Sequence, residues 1–291
     1  MSEFLNYLIT GLVSGSAYVM VALGLTLVFG ILEILHFAHG EVFMLGAYFA
    51  WTILRFFEIN YLLAVVLSMI IGGGLGILIE YFCIRPLRGK PLFLPVITTV
   101  GLSFIFTDAA RVIWSADPQI INTGFNRSIV HVGDIFISQQ RILMFVISVI
   151  SIGLLYLFIH KTFIGKAMRA ASMDLETTSL MGINTNIIIG VTFALGSALA
   201  AGAGALLGPI FLLVPHMGTL MGMKAFVCVI LGGFGDVRGT ILAGFIIGIT
   251  ESLTVGYLSS QLKDASTFFV LIMVLFLRPS GLFGTKSGKY Y

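Results

Sequence analysis

Two imidazoles and two carboxylates fall within nine residues of an otherwise apolar stretch, Glu33-Ile34-Leu35-His36-Phe37-Ala38-His39-Gly40-Glu41. A charged group at bilayer depth costs about 2.5–3.5 kcal/mol on insertion scales, so such groups face a cavity or a partner. Three uses fit Glu33, His36, His39 and Glu41. Imidazoles and a carboxylate can ligate a metal, but His-x-x-His-x-Glu finds no further ligands elsewhere in the chain, and no metal is expected. A hinge would bond these groups to backbone freed by a helix break. A translocation path would be lined by them, as a gate. A second polar break follows at Val214-Pro215-His216-Met217-Gly218, with Lys224 two turns on. Each break joins two apolar segments through His and Gly or Pro, and the two lie in opposite halves of the chain. Discontinuous helices of this kind frame the sites of many transporters. Pro215, His216 and Lys224 therefore join the candidate path residues. No nucleophile arrangement accompanies the histidines, so no catalytic residue is assigned and an intramembrane enzyme finds no support.

The elements that position these residues must be membrane spans. Of 291 residues, 58% are hydrophobic and only 10% charged, and the mean hydropathy is +1.07. Ordinary soluble domains carry about 25% charged residues, so this chain reads as a polytopic membrane protein. Its 34 glycines argue for close helix packing and broken helices. A net charge of +3 is too small to imply a nucleic-acid partner. Cys83 and Cys228 fall in apolar runs and read as buried thiols, neither a disulfide nor a metal pair. Met1-Ser2-Glu3 has no basic region before the apolar run from Phe4 to Ile31, so that run reads as a span and not a cleaved signal.

A span needs about 20 apolar residues. Candidates are 4–30, 40–57, 61–84, 92–115, 140–160, 185–212, 218–234, 238–258 and 264–279. The expected fold is all-α, a single membrane domain over 1–291 with eight or nine spans, eight if the short 218–234 element is re-entrant. Positive charge sets the orientation. Arg85, Arg88, Lys90, Lys161, Lys166, Arg169, Arg238, Arg278, Lys286 and Lys289, ten of the sixteen Lys and Arg, can share one side. Arg55, Arg127, Arg141 and Lys263 fall on the other. The N-terminus is then outside, the C-terminus inside, and the 33–41 break near the cytoplasmic face, as an exit gate. The 116–140 loop is outside, with Gly133-Asp134 flanked by Ile129–Val132 and Ile135–Ile137 as a tight hairpin or an irregular loop.

Within the spans, Asp108 and Arg111 are spaced to pair, Glu80 is near enough to Arg85 to meet it, and Glu251 has no partner by sequence and could face a neighbouring subunit. Gly72/Gly76, Gly204/Gly208, Gly218/Gly222 and Gly244/Gly248 read as internal helix contacts. Gly232-Gly233-Phe234-Gly235-Asp236-Val237-Arg238-Gly239 reads as a tight turn, with Asp236 and Arg238 as a possible pair, and not as a phosphate loop.

The cytoplasmic segment 165–184 is a 20-residue polar stretch between two spans. Asp174 is placed to cap a short helix, and Gly182 to end it in a left-handed conformation. Leu175, Leu180 and Met181 give it an apolar stripe, and Lys166 and Arg169 a basic entry. A helix this short needs a surface to rest on, either the membrane or another protein.

The segment resembles the cytoplasmic loop of permease subunits in bacterial ABC importers, in particular the LivH/LivM group of branched-chain amino acid permeases. The resemblance covers nearly the whole chain. It includes Gly15-Ser16-Ala17-Tyr18, Ala22-Leu23-Gly24-Leu25-Thr26-Leu27-Val28-Phe29-Gly30, His36-Phe37-Ala38-His39-Gly40-Glu41 and Arg85-Pro86-Leu87-Arg88. Gly165-Lys166-Ala167-Met168-Arg169-Ala170, Leu231-Gly232-Gly233-Phe234-Gly235-Asp236 and Arg238-Gly239-Thr240 complete it. The His36–Glu41 string and the length resemble the LivH type most. The resemblance implies a pore shared with a second, LivM-like permease, two ATPase subunits and a periplasmic binding protein, in a bacterial inner membrane. ATP and Mg would be held by those ATPases. Here Gly89-Lys90-Pro91, Gly165-Lys166-Ala167 and Gly288-Lys289-Tyr290 all fail the Walker A pattern. The segment 165–184 would then be a coupling helix, with Lys166, Arg169, Ala170 and Asp174 on the ATPase side and Leu180 and Gly182 holding it in place. The cargo implied is leucine, isoleucine or valine. Related permeases carry other neutral amino acids, short amides or urea. A channel or secondary transporter working without an ATPase is the rival class.

Overall fold

A computed structural model describes residues 2–126, 129–132 and 135–284. The helices are α1 (Ser2–Leu32), α2 (His39–Phe57), α3 (Tyr61–Ile79), α4 (Phe93–Trp114), α5 (Gln139–Lys161) and α6 (Phe163–Met173). They continue as α7 (Leu175–Leu180), α8 (Thr185–Leu207), α9 (Met217–Gly232), α10 (Val237–Tyr257) and α11 (Lys263–Leu277). Each of the nine apolar stretches forms one helix. Seven are long and apolar enough to cross a membrane among the described residues; α9, at 16 residues, is shorter, and α2 is outside that set. At 1.5 Å per residue α9 is about 24 Å long, less than a hydrocarbon core of about 30 Å.

Local chemistry marks the ends. Asn60 accepts from Leu62 N at the start of α3, Asn184 from Asn186 N at the start of α8, and Asp236 from Gly239 N at 2.6 Å at the start of α10. Each satisfies a backbone donor that a helix leaves open. Asp236 thus serves the turn between α9 and α10 as a cap, and not through the expected pair with Arg238. Helix α3 runs on through a π turn at Glu80–Ile84 and a 3₁₀ turn at Arg85–Leu87.

Helix α8 is the axis of the bundle. It packs against α1, α2 and α3, and small residues let the backbones close. A Cβ on Gly73 would lie 3.3 Å from Ala194 O, and one on Gly196 2.8 Å from Gly24 O. Helix α10 runs antiparallel along α1: Gly11 faces Ile249, Gly15 faces Phe245, and Thr26 Oγ1 bonds Thr240 Oγ1 at 2.8 Å. Of the paired glycines singled out in the sequence, Gly208 comes closest to Ile121 of the 116–140 loop, and the others meet neighbouring helices. By contrast α4, α5 and α11 leave most of their apolar surface outward; only 6% of the α11 span is buried.

In the 116–140 loop, β1 (Ile129–Val132) pairs antiparallel with β2 (Ile135–Ser138), Val132 opposite Ile135. The Gly133-Asp134 turn lies outside the described residues. Asp108 and Arg111 pair at 3.0 Å as their spacing predicts. Glu80 does not meet Arg85. It lies toward α8 and pairs with Arg88, which also donates to Asn186 at 2.6 Å, while Arg85 stacks over Tyr81.

Candidate functional site at the crossing of two half-helices

The first break opens where α1 ends. Glu33 N bonds Phe29 O at 2.8 Å, and Glu33 turns the chain with φ 54°, a left-handed conformation uncommon outside glycine. The next residues are irregular. Thr99 of α4 pins them, accepting from Phe37 N and donating to Leu35 O, both at 3.3 Å. Helix α2 then begins at His39.

The depth of this break differs from the sequence expectation. A Cβ on Gly24 would stand 2.8 Å from His39 Nε2 and 2.9 Å from Gly196 Cα. Gly196 is the central residue of α8, so His39 is level with the middle of that helix and not with its Thr185 end. The chain has doubled back from Leu32 along the last turns of α1.

His36 and His39 are buried, with ring centroids 5.7 Å apart and edges facing. His39 Nε2 lies 3.0 Å from Val21 O. Neither ring nitrogen of His36 has a protein partner among the described residues, nor does His39 Nδ1 or Glu41 Oε2. Buried polar atoms are nearly always paired, and exceptions call for an explanation.

The second break begins at the far end of α8. Leu213 exchanges two backbone hydrogen bonds with Gln119 of the 116–140 loop, at 3.0 and 2.9 Å. Pro215 is buried and His216 exposed. Helix α9 starts at Met217, and its first turns cross those of α2. A Cβ on Gly218 would lie 2.6 Å from Gly40 O, and one on Gly40 2.8 Å from Gly222 Cα. Thr219 Oγ1 donates to Glu41 Oε1 at 3.2 Å. The two breaks therefore meet, each sending the N-terminus of a helix to one level.

Lys224 is not at that crossing. Two residues past Gly222, it enters a charged cluster centred on Glu251, which is 1% exposed. Glu251 Oε1 takes Lys224 Nζ at 2.7 Å and Thr267 Oγ1 at 2.5 Å; Oε2 takes the Tyr18 hydroxyl at 2.7 Å and Lys263 Nζ at 3.5 Å. Lys224 also pairs with Asp264 at 2.9 Å. The expectation that Glu251 lacks a partner fails because its partners come from α1, α9 and α11, far apart in sequence. Tyr18, Lys263 and Asp264 are not among the candidate site residues, and the signals the sequence carries for this cluster are Glu251 and Lys224, charged residues inside spans.

The segment 165–184 forms two helices, α6 and α7. Thr162 caps α6 through Gly165 N at 3.0 Å. Asp174 caps α7 through Thr177 N at 3.0 Å and Thr177 Oγ1 at 2.8 Å, and Gly182 ends it with φ 84°. Ala167 and Met168 are buried against the bundle, with Ala170 partly so and Lys166 exposed. The Arg169 guanidinium turns inward and donates to Ile159 O. Leu180 is 82% exposed and Met181 79%, so Leu180 does not hold α7 in place. Its apolar side chain projects from the protein.

Two discontinuous helices whose N-terminal turns meet halfway along a membrane-spanning bundle define a membrane transport protein. The chain belongs to the branched-chain amino acid transport system / permease component family, whose model matches residues 7–277. It is 37% identical, over 97% of its length and 96% of the relative, to the high-affinity branched-chain amino acid transport system permease protein BraD of Pseudomonas aeruginosa. It is 33% identical, with the same coverage, to the corresponding LivH protein of Escherichia coli strain K12. A probable branched-chain amino acid transport permease protein LivH of Methanocaldococcus jannaschii is 29% identical over 93% of this chain and 90% of the relative. No solved structure matches the chain.

Proposed function

We propose that this chain is one permease subunit of an ATP-driven importer of branched-chain amino acids in a bacterial inner membrane. Its N-terminus is outside and its C-terminus cytoplasmic. It shares a pore with a second, LivM-like permease and works with two ATPase subunits and a periplasmic binding protein. ATP and Mg are bound by the ATPases, and this chain supplies half the pore wall.

The observation that carries the reading is the backbone crossing at Gly40 and Gly218, beside the unpartnered ring of His36. Helices that end at mid-bundle can tilt about their breaks without breaking a continuous ladder of hydrogen bonds. His36, His39 and Glu41, with Glu33 at the entry to the break, are placed to act as a gate that re-pairs when the crossing shifts. Pro215 and His216 form the opposite approach to the same crossing. The α6–α7 unit transmits the push. Helix α6 is packed on the bundle and α7 offers Leu180 and Met181 outward, so a partner that grips α7 moves α6 and, through it, the bundle.

The test is co-expression with the partner subunits. The complex should co-purify, and labelled L-leucine uptake into cells should be competed by isoleucine and valine but not by urea. Competition by urea or a short amide, with none by valine, would assign a different cargo.

A further inference from the structure

We propose that the cleft beside the Glu251 cluster binds the free amino acid as a zwitterion within this chain, which rests on the permease reading above. The cleft measures about 620 Å³, within the range of about 300–1,000 Å³ typical of small-molecule sites. Phe43, Met217, Leu220 and Met221 give it an apolar wall; Lys224, Lys263 and Asp264 stand at one end, with the Tyr18 ring beneath Lys224.

The carboxylates of this cluster are not equivalent. Glu251 is buried and holds four partners, so it is the fixed anchor of both lysines. Asp264 is 56% exposed and is held only through Lys224 in the ion pairs described. It occupies Lys224 from the solvent side and can swing away at little cost, because its carboxylate stays hydrated. A ligand carboxylate can then take its place on Lys224, within reach of Lys263, while the released Asp264 receives the ligand ammonium. Two positive and two negative groups are matched before binding, and a zwitterion leaves them matched afterwards. An amine without the acid has no carboxylate to displace Asp264 from Lys224, and a carboxylic acid without the amine gives the released Asp264 no ammonium to hold, so each forgoes one charge-assisted contact that the zwitterion makes. The apolar wall takes an aliphatic side chain. Urea and simple amides carry no charge to displace Asp264, so the cleft selects amino acids against them.

The experiment is equilibrium binding of labelled L-leucine to the assembled permease–ATPase complex in detergent, without the binding protein. L-Valine should compete, and isovalerate, isoamylamine and urea should not. Asp264→Asn should weaken binding roughly tenfold or more, the cost of one charge-assisted contact. Leu220→Trp, at a position 58% exposed, should block the cleft without disturbing the core or the charges. Wild-type binding in both variants, or isovalerate competing as well as valine, overturns the proposal. Leucine uptake is measured on the same complex reconstituted into liposomes with its binding protein. Uptake without detectable binding overturns the site and leaves the permease reading intact; absence of uptake overturns the permease reading itself.

Discussion

Gly40 of α2 and Gly218 of α9 are in backbone contact, 178 residues apart in sequence: a Cβ on Gly218 would stand 2.6 Å from the Gly40 carbonyl oxygen and 2.9 Å from Glu41 Cα. Backbone on both sides leaves no flexible side chain to give way. Gly218→Val should therefore separate the half-helices, at roughly 1–3 kcal/mol of overpacking. The melting temperature of the purified complex should fall and leucine uptake should be lost. Gly74→Val makes the control, because a Cβ there meets nothing within 4 Å, and both properties should stay at wild-type levels.

His36 separates stability from transport. Its ring is buried without a protein hydrogen bond, so His36→Met removes two desolvated nitrogens and breaks no bond. Relief of an unsatisfied polar group amounts to about 1–3 kcal/mol. The variant should melt higher than wild type while uptake falls, as expected where a functional site is less than optimally stable. A lower melting temperature with uptake reduced in proportion would make His36 a scaffold residue.

Glu251→Ala should be among the most damaging single changes. It leaves Lys224, itself 12% exposed, with only the exposed Asp264 as a counter-charge, and Tyr18 and Thr267 without their acceptor. Removing one partner of a buried pair costs about 3–5 kcal/mol, read as a large drop in melting temperature. Combining it with Lys224→Met should recover part of that loss, since the second change removes a cation that has lost its buried counter-charge.

The α7 cap gives a local effect. Asp174→Ala should cost about 1 kcal/mol and raise hydrogen exchange across Leu175–Leu180, with the spans unaffected. Leu180→Glu should leave exchange and melting unchanged, because the side chain is exposed, yet reduce substrate-stimulated ATP hydrolysis. Wild-type hydrolysis in Leu180→Glu would mean that this face of α7 carries no coupling.

What could be read from the residues alone follows from the range of each signal. Spans are local apolar runs, and all nine stretches form helices. Caps are local too: Asp174 and the left-handed Gly182 mark α7 as their types predict. The β1–β2 pairing was one of two readings of the loop, and its β-branched runs form the strands. Pairings set by tertiary packing were out of reach. Glu251 meets residues from three other places in the chain, and Glu80 selects Arg88 because both lie against α8. The depth of the 33–41 break was misplaced for a similar reason. Nothing in Ile34–Ala38 says that the chain turns back along α1, since that path depends on Gly24, Gly196 and Thr99. The inward turn of Arg169 and the projection of Leu180 likewise depend on how α6 packs on α5 and α1.

The most direct measurement is ATP-dependent accumulation of labelled L-leucine in proteoliposomes, comparing this chain alone with the chain joined to its second permease, ATPases and binding protein. The account predicts accumulation only in the complete assembly, dependent on ATP inside the compartment that holds the ATPases. Leucine transport at full rate by the chain alone, with no ATPase present, would contradict it.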